Sequence, residues 1–236
     1  MGVRSILRQA MTEGLPQLGL TLSEAQLEQC CDFAQRLLEK NQVMNLTAIT
    51  EPAAVARLHF LDSMAVLNAW DCRGKRVIDV GCGAGFPGVP MVIAEPSLQL
   101  TLLDSLQKRM NWLREVLPSV GVEAQVISAR AEEYVSGCRE AYDVAVSRAV
   151  ARLNVLCELC LPYVKVGGAF LALKGAMTDE EVSEAEKAIG LLGGKVRNIY
   201  EYTAQDAIHR IVVIEKVNHT PGQYPRKFAK IKQSPL

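Results

Sequence analysis

The stretch Val77-Ile-Asp-Val-Gly-Cys-Gly-Ala-Gly-Phe-Pro-Gly88 decides the fold. A short β-rich run, Arg76 to Val80, passes directly into glycines at 81, 83, 85 and 88. Glycine reaches positive φ at little cost and lets a ligand come close to the backbone. Such a turn at the carboxyl end of a parallel strand is the usual binding crevice of an open α/β sheet. Asp104 ends the next β-rich run, 19 residues after Gly85. A carboxylate there is placed to accept hydrogen bonds from a ribose diol.

Two ligands compete for this turn. Gly83-x-Gly85-x-x-Gly88 matches the dinucleotide fingerprint, so NAD(P) is one reading. Asp79 argues for the other. A carboxylate just before the turn is unhelpful beside a pyrophosphate and useful beside a cationic amino-acid moiety. Charge therefore favours S-adenosylmethionine, which carries an ammonium and a sulfonium. Pro87 also spoils a helix N-terminus for phosphate. A tight turn with no ligand is the third reading.

Outward from the turn, β-rich runs alternate with helical periodicity. Strands are expected over 76–80, 98–103, 122–127, 142–147 and 169–173, and helices over 108–117, 153–161 and 179–192. Two closing strands are expected over 195–202 and 210–217. This alternation implies a parallel sheet with helices on both faces. Before it, Ser23 with Gln26 forms a capping-box pattern ahead of Leu27, Cys30, Cys31, Ala34, Leu37 and Leu38 at helical spacing. Asn41 to Thr47 breaks that helix, and another runs from Glu51-Pro52 to about Trp70. The chain divides into a helical extension (1–74), a ligand-binding domain (75–217) and a basic tail (218–236).

Composition narrows the function classes. The chain has 236 residues, 49% of them apolar, enough for a sizeable core. It has no run of about 18 apolar residues, so no membrane span is expected. The start, Met1-Gly2-Val3-Arg4-Ser5-Ile6, fits neither a secretory signal nor a myristoylation pattern, and a cytoplasmic location is expected. Seven cysteines, an odd count, suggest reduced thiols. Cys157 and Cys160 have metal or redox spacing, but no second Cys/His pair follows, so core packing is the expected role and no metal is expected. The 26 basic and 26 acidic residues cancel, which disfavours gripping nucleic acid by bulk attraction. The balance is uneven, however. Lys216, Arg226, Lys227, Lys230 and Lys232 stand in a stretch with no acidic residue, while Asp179, Glu180, Glu181, Glu184 and Glu186 read as a solvated helix face.

Asp79-Val-Gly-Cys-Gly-Ala-Gly85 with Asp104 resembles the class I S-adenosylmethionine-dependent methyltransferases. Further motifs follow in order: Asn45-Leu-Thr47, His59-Phe-Leu-Asp-Ser63, Gly85-Phe-Pro-Gly88, Leu103-Asp-Ser105 with Lys108-Arg109, Ala131-Glu132, Ser147-Arg-Ala149, Leu173-Lys-Gly175 and Tyr224-Pro-Arg226. This set resembles the ribosomal RNA small subunit methyltransferase G family, also called the glucose-inhibited division protein B family. The resemblance spans about Asn41 to Arg226.

The resemblance implies a Rossmann-like class I methyltransferase fold: a seven-stranded, mostly parallel sheet closed by an antiparallel hairpin, with helices on both faces and an N-terminal helical extension. It implies N7-methylation of a guanine in 16S rRNA of the 30S subunit, by a monomer. It also implies cofactor contacts at Gly81, Phe86, Ala131, Glu132 and Arg148. The turn and strand-end reading adds Asp79, Gly83, Asp104 and Ser105. Where the family often has Thr and Pro, this chain has the small residues Cys82 and Ala84.

Guanine N7 has an in-plane lone pair and needs no general base, so the task is alignment of nucleophile, methyl and sulfur. Methylation leaves positive charge on the purine, so nearby acceptors help and cations hinder. Asn45 and Arg148 are the catalytic candidates. Asn45 lies in the polar break, readable as a lip over the site or as a plain turn. Arg148 follows the fourth strand, where substrates sit. His59, Lys174 and Arg226 are the candidates for RNA contact. His59 reads equally well as a structural histidine, and Lys174 as a solvated one.

Overall fold

The computed structural model describes residues 2–148, 151–175, 178–204 and 207–236; Ala149, at the end of one quoted motif, lies outside them. Its centre is a seven-stranded sheet in the order β3-β2-β1-β4-β5-β7-β6. The strands are β1 (Arg76–Val80), β2 (Gln99–Asp104), β3 (Gln125–Ser128), β4 (Tyr142–Arg148), β5 (Val164–Lys174), β6 (Gly194–Ala204) and β7 (Ala207–Lys216). Strands β1 to β5 pair in parallel, and β7 is antiparallel to both β5 and β6. The strand order reverses between β1 and β4, the switch point at which a crevice opens beyond the strand ends.

The central strands read as continuous apolar runs because both sheet faces are covered. In β1, Val77, Ile78 and Val80 are buried, and so is Asp79. On one face Val77, Leu102, Val144 and Val146 pack under the N-terminal helices and the helices Gly88–Ala94 and Gln107–Ser119. On the other, Ile78, Val80, Leu103 and Ala145 pack under Leu153–Cys160 and Thr178–Leu191.

The helix α2 (Glu24–Met44) starts on the expected capping box: Ser23 Oγ accepts the Gln26 amide, and Gln26 Oε1 accepts the Ser23 N–H at 2.8 Å. Gln26 Nε2 also donates to the Ile93 carbonyl at 2.7 Å, which fastens α2 over the sheet. An earlier helix, α1 (Val3–Gly14), was not expected from the sequence. It buries Leu7, Ala10 and Met11, and its Arg4 and Arg8 pair with Glu24, Glu28 and Asp32 of α2. The described part of the helical extension, residues 2–74, thus shares one core with the sheet. The third helical stretch, 52–69, carries π-helical turns over Ala56–Leu61, where the Asp62 N–H reaches back five residues to the Arg57 carbonyl. Such widened turns recur at functional sites. His59 lies inside this one.

One strand boundary and two expectations about charge change in three dimensions. The third strand begins at Gln125 rather than Val122. The acidic helix is not simply a solvated face: Glu181 takes the Lys174 ammonium and the Leu153 amide, and Glu184 pairs with Arg152. Nor is the tail loose. Ile231 of the helix Phe228–Gln233 is fully buried. Arg226 donates Nε at 2.8 Å and Nη2 at 2.6 Å to the wholly buried Glu158. The Lys216 ammonium is also buried, held by Glu140 and the carbonyls of Leu161 and Val164. Of the five tail cations, Lys227, Lys230 and Lys232 remain exposed.

Candidate active site

A cavity of about 390 Å³ opens beyond the carboxyl ends of β1, β2 and β4. One wall is the turn after β1, with Gly81, Gly83, Phe86 and, at the end of β2, Asp104 and the nearby Arg109. The opposite wall comes from the helical layer, with Leu46, Thr47 and His59; Arg148 enters from the end of β4.

The turn is built for close approach. Gly81 and Gly83 have φ of +76° and +55°, which L side chains rarely adopt. A Cβ on Gly83 would have only Arg109 Nη1 within reach, at 3.8 Å, so the space before this backbone is open. The Asp104 carboxylate braces the turn: Oδ2 accepts the Gly83 N–H at 3.0 Å and Oδ1 the Leu106 N–H at 2.8 Å. Each oxygen keeps a lone pair for a ligand hydroxyl.

Asp79 does not stand on the cavity wall. It is fully buried behind the turn, where Oδ2 accepts the Gly88 N–H at 2.7 Å. Oδ1 has no partner, the sole such buried side-chain atom among the described residues. Burial pushes this carboxyl up to about 7, against the Gly88 hydrogen bond and the Arg148 charge. The folded chain therefore holds the proton where the unfolded chain has released it. The stabilising contribution is full below the ordinary carboxyl pKa and is lost as pH rises toward 7. Asp79→Asn removes the buried charge. Its stability advantage over the parent is expected to grow from pH 4 to pH 7, to roughly 3 kcal/mol in denaturant unfolding. A pH-independent difference would show that Asp79 is ionised in the fold.

Arg148 and His59 form the polar centre. Arg148 Nη1 donates to the Leu58 carbonyl at 2.9 Å and to Asp62 Oδ2 at 3.1 Å, and Nη2 meets His59 Nδ1 at 3.0 Å. The guanidinium lies 5.2 Å from the centre of the Phe86 ring, on which His59 stacks at 4.6 Å. Asp62 is buried and gathers two further donors, Tyr202 Oη at 2.5 Å and His209 Nδ1 at 2.7 Å. Burial pushes the Asp62 carboxyl up, but His209, Arg148 and Tyr202 outweigh it and hold the group below its ordinary range. Burial lowers His59, and the adjacent Arg148 charge lowers it further, to about 4. His59 is neutral at pH 7. Arg148 can only donate, so Nδ1 accepts and Nε2 carries the hydrogen. Nε2–H then donates to Thr47 Oγ1 at 2.7 Å.

The sequence-predicted residues divide. Gly81, Gly83, Phe86, Asp104, Arg148 and His59 meet at the cavity. Asn45 does not: it is exposed, in the left-handed conformation at φ +48° that ends α2. The next two residues form the wall instead. Ser105 is exposed beside Asp104. Ala131 and Glu132 are half-buried at the start of the helix Ala131–Tyr134, outside the cavity wall, and the Ala131 carbonyl accepts Tyr163 Oη at 2.6 Å. Lys174, expected to contact RNA, is committed within the fold: its ammonium donates to the Ala151 carbonyl at 2.8 Å and pairs with Glu181 at 2.6 Å. Arg226 is likewise committed to Glu158. Thr47 and Arg109 reach the cavity without having been singled out. Both sit in the quoted motifs Asn45-Leu-Thr47 and Lys108-Arg109, which was the available signal.

Cys157 and Cys160 do not line the cavity, whereas Cys82 of the turn does. Cys157 and Cys160 are fully buried, and burial pushes both well above the ordinary thiol value. Among the described residues no group of three or more His, Cys, Asp or Glu side chains could hold a metal ion, and no helix is long and apolar enough to cross a membrane.

Solved structures share this fold. The enzyme TrmN from Thermus thermophilus superposes with a TM-score of 0.54 at 20% identity, covering 66% of this chain and 48% of that one. A precorrin-6y C5,15-methyltransferase from Geobacter metallireducens gives 0.52 at 11% identity, covering 73% and 92%. At these identities the likeness concerns the fold alone. Sequence relatives are far nearer. A ribosomal RNA small subunit methyltransferase G of Alkaliphilus oremlandii is 46% identical over 98% of this chain and 99% of its own length. One of Clostridium novyi is 42% identical over the full length of both. Residues 26–211 match the family described as rRNA small subunit methyltransferase G. By this identity across nearly its whole length, the chain belongs to the rRNA small subunit methyltransferase G family.

Proposed function

We propose that this chain methylates N7 of one guanine in 16S rRNA of the 30S subunit, with S-adenosylmethionine as methyl donor, and that it acts as a cytoplasmic monomer. The near full-length match to small subunit rRNA methyltransferases carries this reading. S-adenosylmethionine supplies an already activated methyl group. The residues fit such a molecule. Gly81 and Gly83 present backbone at the cavity wall, and Asp104 offers lone pairs to a ribose diol. Ser105, beside Asp104, would hold the cofactor as the strand-end reading has it, and Ala131 and Glu132, outside the cavity wall, only as the family resemblance implies.

The remaining groups suit a nucleophile that needs no base. His59 is held neutral, so it adds no positive charge near the methylated purine. Arg148 is cationic, but Asp62 compensates it at 3.1 Å. Its part is to fix Phe86 and His59 so that the cavity keeps one shape, which is positioning by preorganisation. The exposed Lys227, Lys230 and Lys232 supply a few phosphate contacts beside shape readout of a folded rRNA element.

The test is mass spectrometry of 16S rRNA from cells with and without this protein, with purified protein added back to 30S subunits. A single N7-methylguanine is expected to disappear and return. Arg148→Ala is expected to slow its return about 100-fold. Unmodified rRNA in both strains would reject the reading.

A further inference from the structure

We propose that Thr47 is a specificity-determining residue that donates its hydroxyl hydrogen to O6 of the target guanine. This rests on the methyl-transfer reading above and adds how the base is chosen.

The argument is a count of hydrogen-bonding capacity. A threonine hydroxyl has one hydrogen and two lone pairs. The Ile49 N–H donates to Thr47 Oγ1 at 3.0 Å, and His59 Nε2–H donates to it at 2.7 Å. Both lone pairs are taken. The His59 donor is not interchangeable, because the guanidinium of Arg148 occupies Nδ1. What is left on Thr47 is one hydrogen, and no acceptor for it is present among the described residues. Thr47 lines the cavity, so this hydroxyl presents a donor and no acceptor to whatever enters.

The donor is also rigid. Asn41 grips the Thr47 backbone on both sides: Oδ1 accepts its N–H at 2.8 Å, and Nδ2 donates to its carbonyl at 2.9 Å. With Ile49 and His59 fixing the oxygen, few rotamers remain.

A donor-only group suits one purine. Guanine shows two acceptors on its major-groove edge, N7 and O6, whereas adenine shows the N7 acceptor beside an N6 amino donor. With N7 directed at the methyl group, the neighbouring exocyclic group decides. O6 accepts the Thr47 hydrogen; an amino group there would set donor against donor. The position agrees. Thr47 stands on the helical wall, across from the glycine turn and Asp104, where a nucleoside methyl donor fits. A carboxylate on that other side would meet the cation of Arg109 instead.

The test replaces O6 and keeps N7. Two ligated 16S rRNAs carry guanine or 2,6-diaminopurine at the target position and are assembled into 30S subunits. The wild-type protein is expected to prefer guanine in kcat/KM by about 30-fold or more. In Thr47→Val this preference is expected to fall to within about 3-fold, mostly through slower guanine methylation. Thr47→Ser, which keeps the hydroxyl, is expected to restore it. The dissociation constant for S-adenosylmethionine, measured by calorimetry without rRNA, is expected to stay the same in Thr47→Val. A wild-type protein that treats both bases alike overturns the proposal without any variant. So does a Thr47→Val protein that is slower on both bases by one factor, or one that binds S-adenosylmethionine more weakly while keeping the preference. No N7 methylation of either substrate by the wild type would overturn the underlying reading and the proposal with it.

Discussion

Asp62→Ala is expected to unfold the chain about 10 °C below the parent and to lower methyl transfer at least 100-fold. Asp62 is 5% exposed, and its carboxylate is the acceptor for Arg148, Tyr202 and His209 together. Those donors come from β4, β6 and β7, so one side chain of the 52–69 helix ties three strands to the helical layer. Alanine leaves the Arg148 guanidinium, whose side chain is 16% exposed, without a counter-charge. Removing one partner of such a pair costs about 3–5 kcal/mol, equivalent to roughly 6–15 °C for a chain of this size. Activity is expected to fall further than stability because the uncompensated charge lies against Phe86 and His59 on the cavity wall.

Asp62→Asn separates charge from shape. The Asp62 hydrogen bond is the main cause raising His209 above its ordinary value. That stabilising contribution is full below the unfolded pKa and is lost as pH rises through the folded one. In Asp62→Asn the His209 titration seen by NMR is expected to move down, and the stability difference from the parent to shrink as pH rises past it. An unchanged His209 titration would show that Asp62 does not set its charge. Thermal melts and single-turnover rates at 25 °C read the other two effects.

Gly85→Ala has the second largest expected effect. Gly85 has φ +96°, and an added Cβ would lie 2.7 Å from Val89 Cγ2 and 3.1 Å from Leu113 Cδ2. Both neighbours are fully buried and cannot swing aside. Positive φ costs an L residue about 1–2 kcal/mol, and overpacking about 1–3 kcal/mol more. Relief of this clash displaces the next residue, Phe86, which carries the His59 stack and the Arg148 contact. The variant is expected to melt about 4–15 °C lower and to bind S-adenosylmethionine at least 10-fold more weakly by calorimetry. A variant with the melting temperature and affinity of the parent would show that the turn tolerates a side chain.

Much of this was legible in the chain itself, for reasons that can be named. The strands β1, β4 and β5 contain the expected runs, and β2 lies one residue later than expected, because buried parallel strands need short apolar segments; the turn after β1 declares itself by glycine spacing. Strand β5 runs longer than expected, from Val164, because Gly167 and Gly168 lie within it rather than before it. The α1 helix was missed because its apolar positions, Leu7, Ala10 and Met11, make a narrow stripe that only α2 and the 52–69 helix reveal as buried.

The site was half legible. Turn glycines and strand-end residues are fixed by local backbone geometry, so sequence determined where the crevice lies and that Gly83 and Asp104 border it, while the family resemblance supplied Gly81, Phe86 and Arg148. Tertiary structure alone decided what the other side chains do. Lys174 and Arg226 read as candidates for RNA contact in the sequence, yet each is taken by a carboxylate on a distant helix, Glu181 or Glu158. Asn45 gives its place to Thr47 because the chain turns through the left-handed region between them and the cavity. Whether His59 is charged, and which nitrogen holds its hydrogen, depends on Arg148, 89 residues away in the chain. The division has one cause. Backbone conformation follows from near neighbours, whereas charge state and hydrogen-bond direction follow from burial and from partners that only folding brings within 3 Å.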